Sequence, residues 1–473
     1  MNYEDKVHKV EGILNNWQNK RLTLPGKITI IKTLAASQLV YIMSSLRTCF
    51  KSLKEIHDLL FKFLWDGKKD KIKRSEMIAD YGDGGQKMLD IMAFNKSLKI
   101  AWIVKYISND CKSKWKTFWD FHLSKWGGKL VFLGNLRKQD VKKYDIKHDC
   151  LRELIEFWAD LNFRDSFLSK HDFCSSMIWN NSLVRIANRP FFYKHWAKAG
   201  VQNIKDLVND DFTIITYREF REKYCASASF LEFYGVTSAI RSALKSMKLK
   251  TQDGKDQEFS IQKLIAASKP TKLAYKILIR KNSTCPQKSQ EKWVKDCGLE
   301  VVEDLSWRTI YLLPRLCTIS TKIRNFQFKF LHRRIATNTF LSKVGISDTA
   351  LCYLCKTDKE TLIHLLWECS VIKTFWDRVQ CFFVSIHLIS ASHVLDIYEC
   401  LGLKGEKDSI LISHCLLLAR YYIYCCKFKN VSPSIREYAQ QLKYNLEIEK
   451  QISTVTDSQN KFQQKWCKIL HAL

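Results

Sequence analysis

Breakers are scarce in this chain. Its 473 residues include 6 prolines and 16 glycines. That excludes frequent interruption and leaves helices free to run long, so the composition predicts a mainly α protein. Acidic residues are few relative to basic ones, 48 Asp+Glu against 77 Lys+Arg, a formal net charge of +29. A solvated surface needs no such imbalance. A polyanionic partner does, and nucleic acid is the commonest. An anionic membrane surface would attract the same charge, but no basic amphipathic anchor is present. Missing too is the apolar run of a signal peptide: the opening Met1-Asn-Tyr-Glu-Asp-Lys6 is polar. The 17 cysteines are therefore expected as reduced thiols in the cytoplasm or nucleus, not as a disulfide framework. Hydrophobic residues at 46% and aromatics at 12% exclude a disordered chain, and the length allows several segments around a large core.

Against these absences stands one dense cluster. Cys352-Tyr-Leu-Cys355 is followed by eight residues, His364, four residues and Cys369. A tetrahedral zinc ion takes four such ligands, and Cys-x2-Cys supplies two from one tight turn. The His-x4-Cys half suits one helical turn with the last ligand just beyond it. Glu360 and Thr361 lead into Leu362, Ile363, Leu365, Leu366 and Trp367, which predicts a short apolar helix carrying His364. Tyr353 and Trp367 adjoin the ligands. They either pack the knuckle or offer a face to a base. His414 with Cys415, Cys425 and Cys426 lacks a knuckle and is not read as a second metal site.

The remaining chain reads as helices. A polar one covers residues 1–20. After Pro25, suited to a first turn, Ile28, Ile31, Ala35, Leu39, Ile42 and Leu46 form one buried face. Lys27 and Lys32 are placed off that face, facing either phosphates or solvent. Ile56, Leu59, Leu60, Phe63, Leu64 and Trp65 make a second helix. The run Lys68–Arg74 follows, six charges in seven positions. Lys71, Lys73 and Arg74 are its candidate phosphate contacts. Gly82–Gly85 is a turn, and a further helix runs from Met88 to about Asn109. Trp115, Trp119, Trp126, Trp158, Trp179 and Trp196 are expected in a helical core. Ser246–Gln262 and Asn282–Ser289 are candidate linkers. Ile323, Phe326 and Phe330 form an apolar row, broadened by Phe328, Leu331 and Ile335. Lys322, Lys329 and Arg333 are assigned to the opposite side, flanked by Arg324, His332 and Arg334, as a phosphate-holding strip. Thr337-Asn338 caps a short helix closed by Gly345. Ile410–Lys427 is very apolar. Ser413, His414 and Arg420 interrupt it short of the ~20 residues of a membrane span, so it is expected as a core helix. Pro433 opens a last amphipathic helix through Leu446.

These stretches carry a family resemblance. Arg21-Leu-Thr-Leu-Pro-Gly-Lys27 and its continuation, Phe63-Leu-Trp-Asp-Gly-Lys68 and Gly84-Gly-Gln-Lys-Met-Leu-Asp-Ile91 resemble the region after the palm of non-LTR (LINE-type) retrotransposon reverse transcriptases. Arg324–His332, Thr337-Asn338 and Cys352–Cys369 resemble that family's zinc-binding region, most specifically over Glu360–Cys369. Ala419–Ile423 and Lys465-Trp466 resemble its tail. The resemblance implies a multi-helix thumb-like segment (1–109), a helical connector (110–300), a zinc-binding reverse-transcriptase region (301–385) and a C-terminal helical tail (386–473). It implies a structural zinc, and as partners RNA, an RNA–DNA or DNA duplex and other parts of the retrotransposon machinery, with no membrane.

The family's polymerase chemistry needs metal-holding aspartates, including an aromatic-x-Asp-Asp turn. Here the pair Asp210-Asp211 has Val208 two residues before it and reads as a loop. Tyr81-Gly-Asp83 has one acid and reads as a turn. RNase H carboxylates are not found after Cys369. The chain as it stands is therefore expected to bind nucleic acid without catalysis. The alternatives are a part of an active RNA-directed DNA polymerase whose palm lies elsewhere, or a decayed copy.

Overall fold

The computed structural model describes residues 3–108, 113–161, 169–224, 227–246, 261–298, 306–404 and 410–470. Helices dominate among them, and β pairing is confined to isolated bridges at Met177–Asn203, Ile186–Arg189, Val208–Ile214 and Leu351–Lys359. The mainly α expectation holds. The linker expected at 246–262 lies largely outside the described residues. The one at 282–289 is a short coil between helices Pro270–Asn282 and Gln287–Cys297.

The chain divides into two compact units, each assembled from separated stretches. The first comprises Met1–Ile13, Leu34–Leu59 and Asp90–Asn282; the second comprises Leu14–Thr33, Leu60–Leu89 and Ser283–Leu473. Residues 1–109 thus contribute to both. The long apolar face after Pro25 is buried at Ile28, Ile31, Ala35, Leu39 and Ile42, while Leu46 is exposed. It is not one regular helix. Leu24–Ile30 is α-helical, Ile31–Ala35 widens into a π turn, Ala36–Leu39 tightens to 3-10, and Val40–Ser45 is α-helical again.

In the first unit, helix Ile91–Ile107 starts at Asp90, whose Oδ1 accepts from the Met92 and Ala93 backbone at 2.9 and 3.0 Å. Such a cap is worth about 1 kcal/mol. The helix packs on Pro270–Asn282. Trp119, Trp158, Trp179 and Trp196 are buried, and Trp115 and Trp126 pack partly buried in the same unit. Not all of them sit on helices. Trp179 lies in an irregular stretch and is fixed there by its indole N–H donating to the Val201 carbonyl at 2.9 Å. Asp210 and Asp211 occupy an exposed turn, as expected. Asp211 accepts from the backbone and hydroxyl of Thr213, which holds its carboxyl below the usual range.

One core runs through the second unit from Trp293 to Ile469. Helix Ile410–Lys429 lies within it. That helix is long and apolar enough to cross a membrane, but its apolar side chains are largely buried by protein. Arg420 is buried too, and its guanidinium donates to the carbonyls of Cys400 (2.9 Å) and Glu399 (3.2 Å) and to Gln327 Oε1 (3.3 Å). The helix after Pro433 runs from Ile435 to Val455, beyond Leu446, and is not the last, since Gln459–Trp466 follows.

His414 on the core helix is fully buried. Burial, then the Lys465 charge, lowers its pKa to about 4 against the opposing pull of Glu449. An unfolded histidine protonates first, near 6.5. The neutral form thus favours folding fully above pH 6.5, and this contribution is lost as pH falls toward 4, about 3 kcal/mol in all. Urea unfolding from pH 7 to pH 4 should show this loss, and His414→Gln should flatten it.

Candidate metal centre

The turn Cys352–Lys356 is closed by the Lys356 N–H donating to the Cys352 carbonyl at 3.0 Å, with Lys356 in the left-handed region at φ 60°. The Leu351–Lys359 bridge and the Cys352 N–H donating to the Asp358 carbonyl at 2.8 Å pin its base. His364 comes from the segment after it. Thr361 Oγ1 accepts from the His364 N–H at 3.0 Å and starts the turn. Leu362 and Ile363 are α-helical, but His364–Glu368 is a π turn in which Cys369 N–H donates to the His364 carbonyl at 3.1 Å. A π turn bonds residues five apart. That is the spacing of His364 and Cys369, so the wider turn brings both to one place.

The ligand atoms of Cys352, Cys355, His364 and Cys369 all lie within 4.8 Å of one another. Cys352 Sγ is 3.9 Å from Cys369 Sγ, and Cys355 Sγ is 3.4 Å from His364 Nε2. A tetrahedron with zinc–sulfur bonds of ~2.3 Å has edges of roughly 3.8 Å. Three sulfurs and one imidazole nitrogen are also the donor set zinc takes, so the residues fit that ion. Cys352, His364 and Cys369 are buried and Cys355 is half-buried. Burial pushes the Cys352 thiol up to about 12, against backbone N–H groups of Cys355 and Leu354 that point at its sulfur. At Cys355 burial also pushes upward. It is outweighed by hydrogen bonds from the Asp358 backbone, Thr357 and His364, which bring the thiol down to about 6.

A buried ion pair holds this loop to the core. Glu360 is fully buried and pairs with Lys427 of the Ile410–Lys429 helix. Its Oε1 accepts from Asn338 N–H at 2.8 Å, and its Oε2 from Tyr353 N–H at 3.2 Å, inside the Cys-x2-Cys turn. Lys427 also donates to Asn338 Oδ1 at 2.6 Å. One carboxylate therefore ties the knuckle, the start of helix Asn338–Lys343 and the core helix together. Thr337 caps that short helix by accepting from Phe340 N–H at 3.3 Å, and Gly345 follows it at φ 71°, as expected. Tyr353 and Trp367 pack partly buried against the same core.

The candidate phosphate contacts divide. Lys27 is buried, not off the apolar face. Its ammonium donates to the carbonyls of Phe63 (3.2 Å) and Leu64 (3.4 Å) and to Asp66 (2.5 Å), closing the end of helix Phe50–Leu64. Arg333 follows helix Thr321–Leu331 at φ 56°, pairs with Asp296 and lies 4.5 Å over the Trp293 ring. It therefore leaves the strip assigned to it beside Lys322. Arg324 is half-buried and donates to the carbonyls of Thr318 (2.6 Å) and Arg315 (3.2 Å). Arg74 pairs with Asp70 at 2.8 Å and covers the Phe61 ring. Lys32, Lys71, Lys73, Lys322 and Arg334 are exposed, Lys73 at 4.0 Å from Glu76. Ile323, Phe326, Phe328, Phe330, Leu331 and Ile335 are all buried, so the apolar side of that helix is as expected.

Two cation groups form in the second unit. Lys329 is half-buried; burial and the nearby charges of Lys71 and Lys27 lower its pKa, against Asp66. With Lys68 these lysines line a cleft of about 110 Å³. The pKa of Lys32 is likewise lowered, by desolvation and then by the charges of Lys87 and Arg315. Each group is partly neutralised from within: Asp66 lines the first cleft and pairs with Lys27, and Asp80 pairs with Lys87 at 2.9 Å. Lys87 and Arg315, like Glu360 and Lys427, escaped sequence reasoning. Lys87 and Arg315 lie 228 positions apart; Lys87 falls in the Gly84–Ile91 block, but nothing in that block points to Arg315. Around them, His332 is buried with its Nε2 2.7 Å from the Gly84 carbonyl. Gly85 allows no Cβ, which would lie 2.0 Å from the Ala79 carbonyl oxygen.

Residues 271–376 match the family described as zinc-binding in reverse transcriptase. The matched stretch contains helix Thr321–Leu331, the capped helix after Thr337 and all four converging ligands. Residues 271–376 are thus similar to the zinc-binding region of reverse transcriptases, and the Cys352–Cys369 cluster, a candidate metal site, lies within that stretch.

Proposed function

We propose that this chain is a nucleic-acid-binding part of a non-LTR (LINE-type) retrotransposon reverse transcriptase. In this reading Cys352, Cys355, His364 and Cys369 hold one structural zinc. Four protein ligands leave no open position, which suits a structural and not a catalytic ion. The chain grips RNA, or an RNA–DNA or DNA duplex, through phosphate contacts, and works in the cytoplasm and nucleus. The described cysteines are all free thiols, which is compatible with such reducing compartments. It has no polymerase activity of its own.

The observation that carries the reading is the four-ligand cluster inside the matched segment, in a unit that also concentrates Lys32, Lys68, Lys71, Lys87, Arg315 and Lys329. Filter binding to a 30-nucleotide RNA over a range of salt tests the contacts. Affinity should fall steeply with salt, because each neutralised phosphate releases counterions. The triple variant Lys32→Ala/Lys71→Ala/Lys87→Ala should weaken binding about tenfold or more and flatten the salt slope by about 2–3. Lys27→Ala should instead lower stability with little effect on that slope. Salt-independent affinity would remove the phosphate-contact reading. A template-extension assay on the purified chain should give no product, and incorporation above background would show that it polymerises.

A further inference from the structure

A cavity of about 550 Å³ in the second unit is not part of the metal centre. Its walls are the end of helix Trp307–Cys317 with the residues just after it, the start of Ile410–Lys429, the last turns of Ile435–Val455, and Gln459–Trp466. Two features set it apart. Four aliphatic side chains on its walls are open to solvent: Leu316 is 50% exposed, Ile319 42%, Ile452 42% and Ile410 37%. Around them stand five cations, Arg315, Arg324, Lys461, Lys465 and Lys468. The one acid on the wall, Glu449, is already paired with Lys465 at 2.6 Å and accepts from the Trp466 indole at 2.9 Å.

An apolar slot with a cationic rim suits a ligand that is flat and apolar in one part and anionic in another. The volume lies in the range of small-ligand pockets. An unpaired nucleotide has this character: proteins that take single strands combine aromatic stacking with backbone-tracking cations, and Phe462 stands on this wall beside the aliphatic side chains. Arg315 lies 3.2 Å from the centre of the Tyr81 ring, and Lys87 sits 4.7 Å from the same ring, so the cationic rim reaches a further lysine outside the cavity. The walls are helices whose backbone groups are largely bonded within themselves, so an extended peptide finds no strand edge to pair with.

We propose that this cavity receives one unpaired base of a single-stranded nucleic acid, with the flanking phosphates on Lys461, Lys468 and Arg315. The proposal rests on the nucleic-acid-binding reading above and adds to it a site that distinguishes single strands from duplexes.

The test uses the full chain with three fluorescein-labelled probes: a 12-nucleotide oligouridine, a blunt 12-base-pair duplex and a decaglutamate peptide. Leu316→Asn/Ile452→Asn changes two side chains that are about half exposed, and a thermal melt checks that it folds. The double variant, which removes apolar contact with the base, should lose about tenfold in affinity for oligouridine and stay within twofold for the duplex. Equal loss for both probes, or loss for neither, overturns the base cavity while leaving the phosphate-contact reading intact. Loss of decaglutamate binding with oligouridine binding retained makes it an acidic-peptide site and overturns the proposal. Failure of the unaltered chain to bind either nucleic acid overturns the underlying reading as well. If the variant does not fold, 4-thiouridine in the oligonucleotide should crosslink the unaltered protein within residues 452–468, and crosslinks confined elsewhere overturn the proposal.

Discussion

Cys352→Ser should strip the chain of its metal. Purified from zinc-supplemented culture, the unaltered protein should carry one zinc per chain by mass-spectrometric metal analysis, and the variant less than about a tenth of that. The expected size follows from the chemistry. Structural zinc contributes roughly 10–16 kcal/mol of apparent binding free energy in small peptides; here the Leu351–Lys359 bridge and the Glu360–Lys427 pair also hold the ligand turns. Part of that energy remains as core packing, because Leu365, Leu366 and Ile372 are buried beside the site. The loss should therefore be several kcal/mol and local, read as faster proteolysis within residues 345–370, with helix content elsewhere retained. His364→Ala should behave alike. Cys381→Ser is the control: Cys381 is exposed, outside the cluster, and its loss should leave zinc content unchanged. Full zinc in the Cys352 variant would mean that other residues hold the ion.

Glu360→Ala should be the most destabilising single change away from the ligands, by about 3–5 kcal/mol. It leaves the Lys427 ammonium buried beside Asn338 and the aromatic ring of Tyr353, without its carboxylate. It also strands the N–H groups of Asn338 and Tyr353. Removing both charges should cost less, since well-packed apolar residues often replace a buried pair with little loss. Urea unfolding with zinc saturating should rank Glu360→Ala below the double variant Glu360→Leu/Lys427→Met. If the single variant unfolds at the same midpoint as the unaltered chain, Glu360 does not hold the knuckle to the core helix.

Much of this was legible from residue order. The four ligands stand in sequence at spacings that a turn and a helical turn dictate, so their convergence could be read directly. Apolar rows such as Ile323, Phe326 and Phe330 were equally visible, because the helical period places them on one face. The cations were harder. Lys27 and Lys32 look alike in sequence, both on a helical stretch after Pro25. Only the packing of the end of helix Phe50–Leu64 shows that Lys27 closes its carbonyls while Lys32 faces out. Arg333 continues the periodicity of its helix on paper. The chain turns left-handed there and gives it Asp296 as a partner. The π turn at His364 was not legible: the spacing read as one ordinary helical turn, and the backbone instead widens over His364–Glu368 to match the five-residue step to Cys369. Glu360 read only as a helix-start residue. Its partner Lys427 lies 67 positions away, and a pairing at that distance is fixed by tertiary packing alone.

X-ray absorption at the zinc edge addresses the metal centre most directly. Three sulfurs at ~2.3 Å and one nitrogen at ~2.0–2.1 Å are expected for the folded chain, with one sulfur fewer in any variant of Cys355 that still binds the ion. A spectrum with four sulfurs, with oxygen-rich coordination, or with no zinc in folded protein would contradict it.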